Sequence, residues 1–190
     1  MSEKKTNKSL QDKIYNFLKD NKKIIIILSI FFILSIFSFI FYGTVKDKAN
    51  KKVSQQYTKA TILINKKKNE ESKFLLIDII EEEHSFYSPL ALFLIIKNNM
   101  EKDPEKIINY FDQILKINSI DDENLNLIKI KKAFFLFDSN NEELIIKTLN
   151  PVINSDSVWR KMAVKLISDY FLSRNQPKKA SEYKQLLNNK

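Results

Sequence analysis

The chain is 190 residues long, 44% apolar and 29% charged, with a formal charge of +9, a balance that excludes a wholly disordered polypeptide. It has no cysteine and one histidine, which excludes disulfides, thiol nucleophiles, thiolate metal sites and any His-based metal cage built within one chain. One Gly and four Pro are too few for the many turns of a β-rich fold, so the expected class is all-α.

The charge is unevenly placed along the chain. Residues 1–23 form a short leader with seven Lys against three acids, and residues 43–68 hold eight Lys against one. Residues 69–190 hold 17 Lys and Arg against 19 acids. The positive excess therefore flanks the segment between, where each lysine meets anionic lipid head groups at roughly 1 kcal/mol. The larger part is near neutral, so no groove for nucleic acid is expected.

Residues 24–42 read IIIILSIFFILSIFSFIFY: 19 residues with no charge, of which 15 are Ile, Leu or Phe. As a helix rising about 1.5 Å per residue they reach roughly 28 Å, the thickness of a hydrocarbon core. Each large apolar residue favours insertion by about 0.3–0.6 kcal/mol. The run is expected to be a single transmembrane helix, with Ile24, Ile27, Phe31, Leu34, Phe37, Ile40 and Tyr42 among its anchoring residues. It is too long for a cleaved signal peptide, and Phe41-Tyr42-Gly43 lacks the small residues of a cleavage site. A buried core helix would not be apolar on every face between lysine pairs. The two flanks are nearly balanced in lysine, so charge leans only slightly toward a cytoplasmic N-terminus.

Beyond the anchor, helical spacing of apolar residues and recurring polar breaks predict eight helices, at about 45–67, 70–83, 88–101, 104–117, 122–138, 141–150, 156–174 and 177–188. Pro104 and Pro177 sit where a first-turn proline opens a helix. The helices pair, and the last three pairs begin about 34 residues apart, the period of tetratricopeptide-like hairpins. Residues 43–190 are thus expected to form one domain of about four stacked hairpins in a short right-curving array. Ala133 with Leu136, and Ala180 before Leu187, fit the repeat's small-then-large pattern, whereas Ile95 and Ile107 fill positions that usually hold small residues.

Candidate chemistry is sparse. Glu81-Glu82-Glu83-His84 is rich in metal-ligand types, but consecutive helical residues point about 100° apart and do not converge on one ion. Asp121-Asp122-Glu123 suits a helix N-terminus, where acids accept from free N–H groups. Phe134, Phe135 and Phe137 cannot all face one core, which makes them the candidate partner-contact residues. Trp159 suits packing between hairpins. With one Gly there is no phosphate loop, and nothing distinguishes any of the serines as a nucleophile for the only His, which lies in a charged turn. No catalytic residue, cofactor site or metal site is expected, and the chain reads as a binding protein, not an enzyme.

Several short motifs, in order, resemble a known family. Ser54 to Ala60 (SQQYTKA) is similar to a small-x-x-Tyr-x-x-Ala opening helix, and Tyr87-Ser88-Pro89-Leu90-Ala91 to a Tyr-x-x-Leu-Ala second pair. Trp159, Met162-Ala163, Leu166, Asp169 and Leu172, then Arg174 to Pro177 and Ala180, resemble a Trp-led last pair. The family is the YfgM-like ancillary SecYEG translocon subunits of bacteria, single-anchor proteins with tetratricopeptide-like repeats. Its turns usually carry Gly where this chain has Asn140-Asn141 and Asn175-Gln176, Asn being the next best residue for a left-handed cap. The resemblance implies an inner-membrane protein with a cytoplasmic N-terminus and a periplasmic helical domain. It also implies association with the Sec translocon and with an anchored periplasmic chaperone of the PpiD type. Without the resemblance, an assembly factor for another envelope complex and a cytoplasm-facing adaptor remain alternative readings.

Overall fold

The computed structural model describes residues 15, 16, 19, 21–139 and 141–187, with backbone alone for 24–30 and 38–49. The described residues form eight helices and no strand: α1 Lys22–Asn65, α2 Asn69–Glu81, α3 Tyr87–Lys97, α4 Pro104–Ile114, α5 Asp122–Leu136, α6 Glu142–Ile153, α7 Arg160–Ser173 and α8 Pro177–Gln185. The fold is all-helical, and the order of helices is the one that apolar spacing predicts. Two differences stand out. The helix expected to begin near residue 45 is the end of one 44-residue helix, because Gly43 alone does not interrupt helical backbone. Helix α6 runs past Pro151 to Ile153 instead of stopping at Asn150. An interior proline costs about 3 kcal/mol, but Val152 and Ile153 are fully buried beyond it, and two large aliphatic side chains recover about as much.

The chain divides into two compact units, Met1–Lys51 and Lys52–Lys190, and α1 contributes to both. In the first unit every side chain from Phe31 to Phe37 is exposed, with Phe31 at 72% and Phe37 at 66%. Of the expected anchor residues, Ile24, Ile27, Ile40 and Tyr42 have side chains outside the described residues. Among the described residues no helix is long and apolar enough to cross a membrane.

In the second unit, helix ends are set by local chemistry. Asp103 and Asp121 accept from the backbone N–H of Glu105 and Asn124, each at 2.9 Å, and Asn141 accepts from Leu144 at 3.0 Å. Lys67, Asn99 and Asn175 have positive φ. After each of them the next N–H reaches back five residues, from Lys68 to Leu63, Met100 to Ile95 and Gln176 to Phe171. Asn175 thus takes the glycine role expected of it, while Asn140 lies outside the described residues.

From α2 onward each helix packs on the next in the chain, and α5 also touches α7, so successive hairpins stack. Polar links recur at the repeat spacing: Ser157 donates to Glu123, and Gln176 to Glu142, both pairs 34 residues apart. Small buried residues allow close approach. Ser72 donates to the carbonyl of Ala60 and Ser168 to that of Ala180, each across a helix pair. Two apolar clusters result. One runs from Val53 to Ile128, the other from Ile130 to Ala180. Helix α5 serves both: Ile128 enters the first cluster, and Ile130, Ala133 and Leu136 enter the second.

Glu101 is buried at the turn before α4. Its carboxylate accepts from the N–H groups of Asp103 and Lys102, and pairs with Lys73 at 3.0 Å. The Asp103 N–H, then the Lys73 ammonium, hold its pKa down at about 2 from an ordinary 4.5. The folded-state value is depressed, so this stabilisation is complete above the unfolded value and is lost as pH falls toward the folded one. Stability of the helical domain should therefore fall between about pH 4.5 and 2, and Glu101→Gln should flatten that part of the profile. Acid titrations of the two proteins followed by circular dichroism check this, and superimposable curves would contradict it. Asp121→Ala should cost roughly 1 kcal/mol in urea denaturation through loss of the α5 cap.

Candidate binding groove

On α3, Phe93, Ile96 and Lys97 stand at positions i, i+3 and i+4, which places them on one face. On α5, Lys131, Phe134 and Phe135 repeat the same spacing. These two helices are the first members of successive hairpins, and their stripes line a groove of about 450 Å³. Phe111 of α4 closes its floor and is fully buried. The volume lies in the range of ligand sites, about 300–1,000 Å³.

The side chains are fixed by packing on both sides. The Phe135 ring lies 6.2 Å from that of Phe111 and touches both apolar clusters. Lys131 Nζ reaches across to 6.0 Å from the Phe93 ring centre, a cation over an aromatic face. Phe134 is 52% exposed although it belongs to a helix buried on its other faces. A smaller depression adjoins the groove, shares Ile96 and Phe135 with it, and contains the paired Glu101.

The structure brings Phe134 and Phe135 together and sets Phe137 apart. Phe137 is half-buried in the second cluster, edge-on to Tyr170 at 5.9 Å. The α3 side of the groove was not singled out from sequence. The signal that could have found it is the matching i, i+3, i+4 triplet of apolar and Lys residues, 38 positions upstream of the one on α5.

The other sequence candidates have local roles. Glu82 pairs with Lys52. His84 Nδ1 accepts from the N–H groups of Phe86 and Tyr87, at 3.1 and 3.2 Å, and so caps the start of α3. Asp121 caps α5, and its pKa is lowered first by the Asn124 N–H that it accepts. Trp159 packs against the second cluster. A further depression between α4, α5 and α6 contains the buried Lys132, whose ammonium is met by Asp112 at 2.6 Å. Among the described residues no group of three or more His, Cys, Asp or Glu could hold a metal ion. The groove offers apolar surface and two ammonium groups.

Asp112→Ala should destabilise the domain by more than the usual surface change of about 0.5 kcal/mol, because it leaves the Lys132 ammonium buried without its carboxylate. Thermal unfolding of the variant measures this, and an unchanged midpoint would contradict it.

No family model matches the chain, and no solved structure matches it. Among curated proteins, it is similar to the ancillary SecYEG translocon subunit of Buchnera aphidicola subsp. Schizaphis graminum (strain Sg), with 29% identity over 152 residues that cover 80% of this chain and 75% of that protein.

Proposed function

We propose that this chain is a membrane-tethered, non-catalytic scaffold at the Sec translocon, whose helical domain docks a protein partner in the groove between α3 and α5. The observation that carries this reading is the similarity to an ancillary SecYEG translocon subunit over four-fifths of the chain. In this reading residues 24–42 cross the inner membrane once, the N-terminus is cytoplasmic, and the domain lies in the periplasm. The exposed apolar residues of α1 support the anchor. Six large apolar side chains between Phe31 and Phe37 face outward, and leaving them in water instead of a lipid core costs on the order of 10 kcal/mol. The lysines on both sides of the run meet lipid head groups.

The partner is a chaperone of the PpiD type or an exported protein emerging from the translocon. Tethering confines the domain to the membrane surface, so a weak contact suffices for occupancy. The phenylalanine-lined groove supports docking of an apolar partner segment.

Mild crosslinking followed by purification of the full-length chain should recover SecY-type translocon components and an anchored periplasmic chaperone. Recovery of a different envelope complex in their place would overturn the reading in favour of an assembly factor. Protease added to intact spheroplasts should digest the helical domain. Protection until the membrane is lysed would place it in the cytoplasm and contradict the topology.

A further inference from the structure

We propose that the groove takes an acid-flanked apolar segment of a partner protein. One large apolar side chain enters between Phe93 and Phe134, and carboxylates beside it meet Lys97 and Lys131. This rests on the reading of the groove as a protein-docking surface and adds the chemistry of what docks.

The first observation is charge. Two lysines and no acid line the groove, although residues 69–190 as a whole carry more acids than bases. The excess is local to the groove and does not follow from the domain's composition. The second observation is that Lys97 and Lys131 are both exposed and, like most lysines of the domain, meet no carboxylate within ion-pair distance among the described residues, so both ammonium groups are open to a ligand. The Lys131 ammonium lies over the Phe93 ring.

A ligand that fills the phenylalanine-lined space must cover Phe134 and remove water from both ammonium groups. A wholly apolar segment would leave them desolvated and unpaired, and a basic one would add repulsion. An acid-flanked segment replaces the lost water with ion pairs and still buries its apolar side chain on Phe93, Phe134 and Phe135. The competing occupant is a second copy of this chain, which presents exposed Phe86 close to Glu81, Glu82 and Glu83.

The test uses the full chain in detergent micelles and three fluorescent peptides that share a Phe-Leu centre flanked by Glu, Gln or Lys. Fluorescence anisotropy should rank the Glu-flanked peptide tightest, with weaker binding at high salt. The double variant Lys97→Glu/Lys131→Glu should weaken that peptide about tenfold, as expected for two partly exposed ion pairs, and should invert the ranking toward the Lys-flanked peptide. Phe134→Ala should weaken all three, with helical content unchanged by circular dichroism. Equal affinities for the three peptides, or an unchanged ranking in the double variant, would overturn the proposal. So would a dimer of the wild-type chain that the double variant abolishes, since the groove would then hold a second copy. These readouts do not depend on the translocon: loss of co-purification would sink the proposed function and leave the peptide ranking intact, and the reverse also holds.

Discussion

The arrangement of the domain depends on α5 being buried on two sides at once. Ile128 packs into the cluster formed by the earlier helices, while Ile130, Ala133 and Leu136 pack into the later one. A helix held this way has little freedom to rotate, because turning it would expose one core to fill the other. The same constraint decides what its remaining face presents. Lys131, Phe134 and Phe135 face α3, and Phe111 supports them from below. A groove of this kind follows from hairpins that cannot bury their apolar surface alone and must share it with their neighbours.

The polar features of the domain serve the same stacking. Backbone groups left free at helix ends are met by Asp103, Asp121, Asn141 and His84, and left-handed residues end α1, α3 and α7. Buried charges are paired, Glu101 with Lys73 and Lys132 with Asp112. Lys97 and Lys131 are exposed instead, and no acid stands among the residues that line the groove with them. Charge in this chain therefore has two distributions. One excess surrounds residues 24–42, and a much smaller one lies between α3 and α5.

Much of the helix order was legible in the sequence, since spacing of apolar residues and Pro104, Pro177, Asp121 and Asn175 mark starts and stops by local chemistry. Pro151 was misleading for the opposite reason: burial of Val152 and Ile153 is a tertiary effect that overrides a local breaker. The helices expected at 24–42 and at about 45–67 are one, since a lone Gly43 between them costs a helix only about 1 kcal/mol. The groove was half legible. Three phenylalanines in four positions signalled that one face would lack a core, but which of them pointed where depended on Tyr170, more than 30 residues away. Phe93 and Lys97 read as ordinary helix residues until α5 was set beside them.

The central claim is that Phe134 faces a protein partner at the membrane. A photo-crosslinking phenylalanine analogue at position 134 of the full-length chain, activated in intact cells, tests this most directly. The account predicts adducts with a translocon component or an anchored chaperone from position 134, and none from position 158, where Val158 is 78% exposed outside the groove. Equal adducts from both positions, or none from position 134, would contradict it.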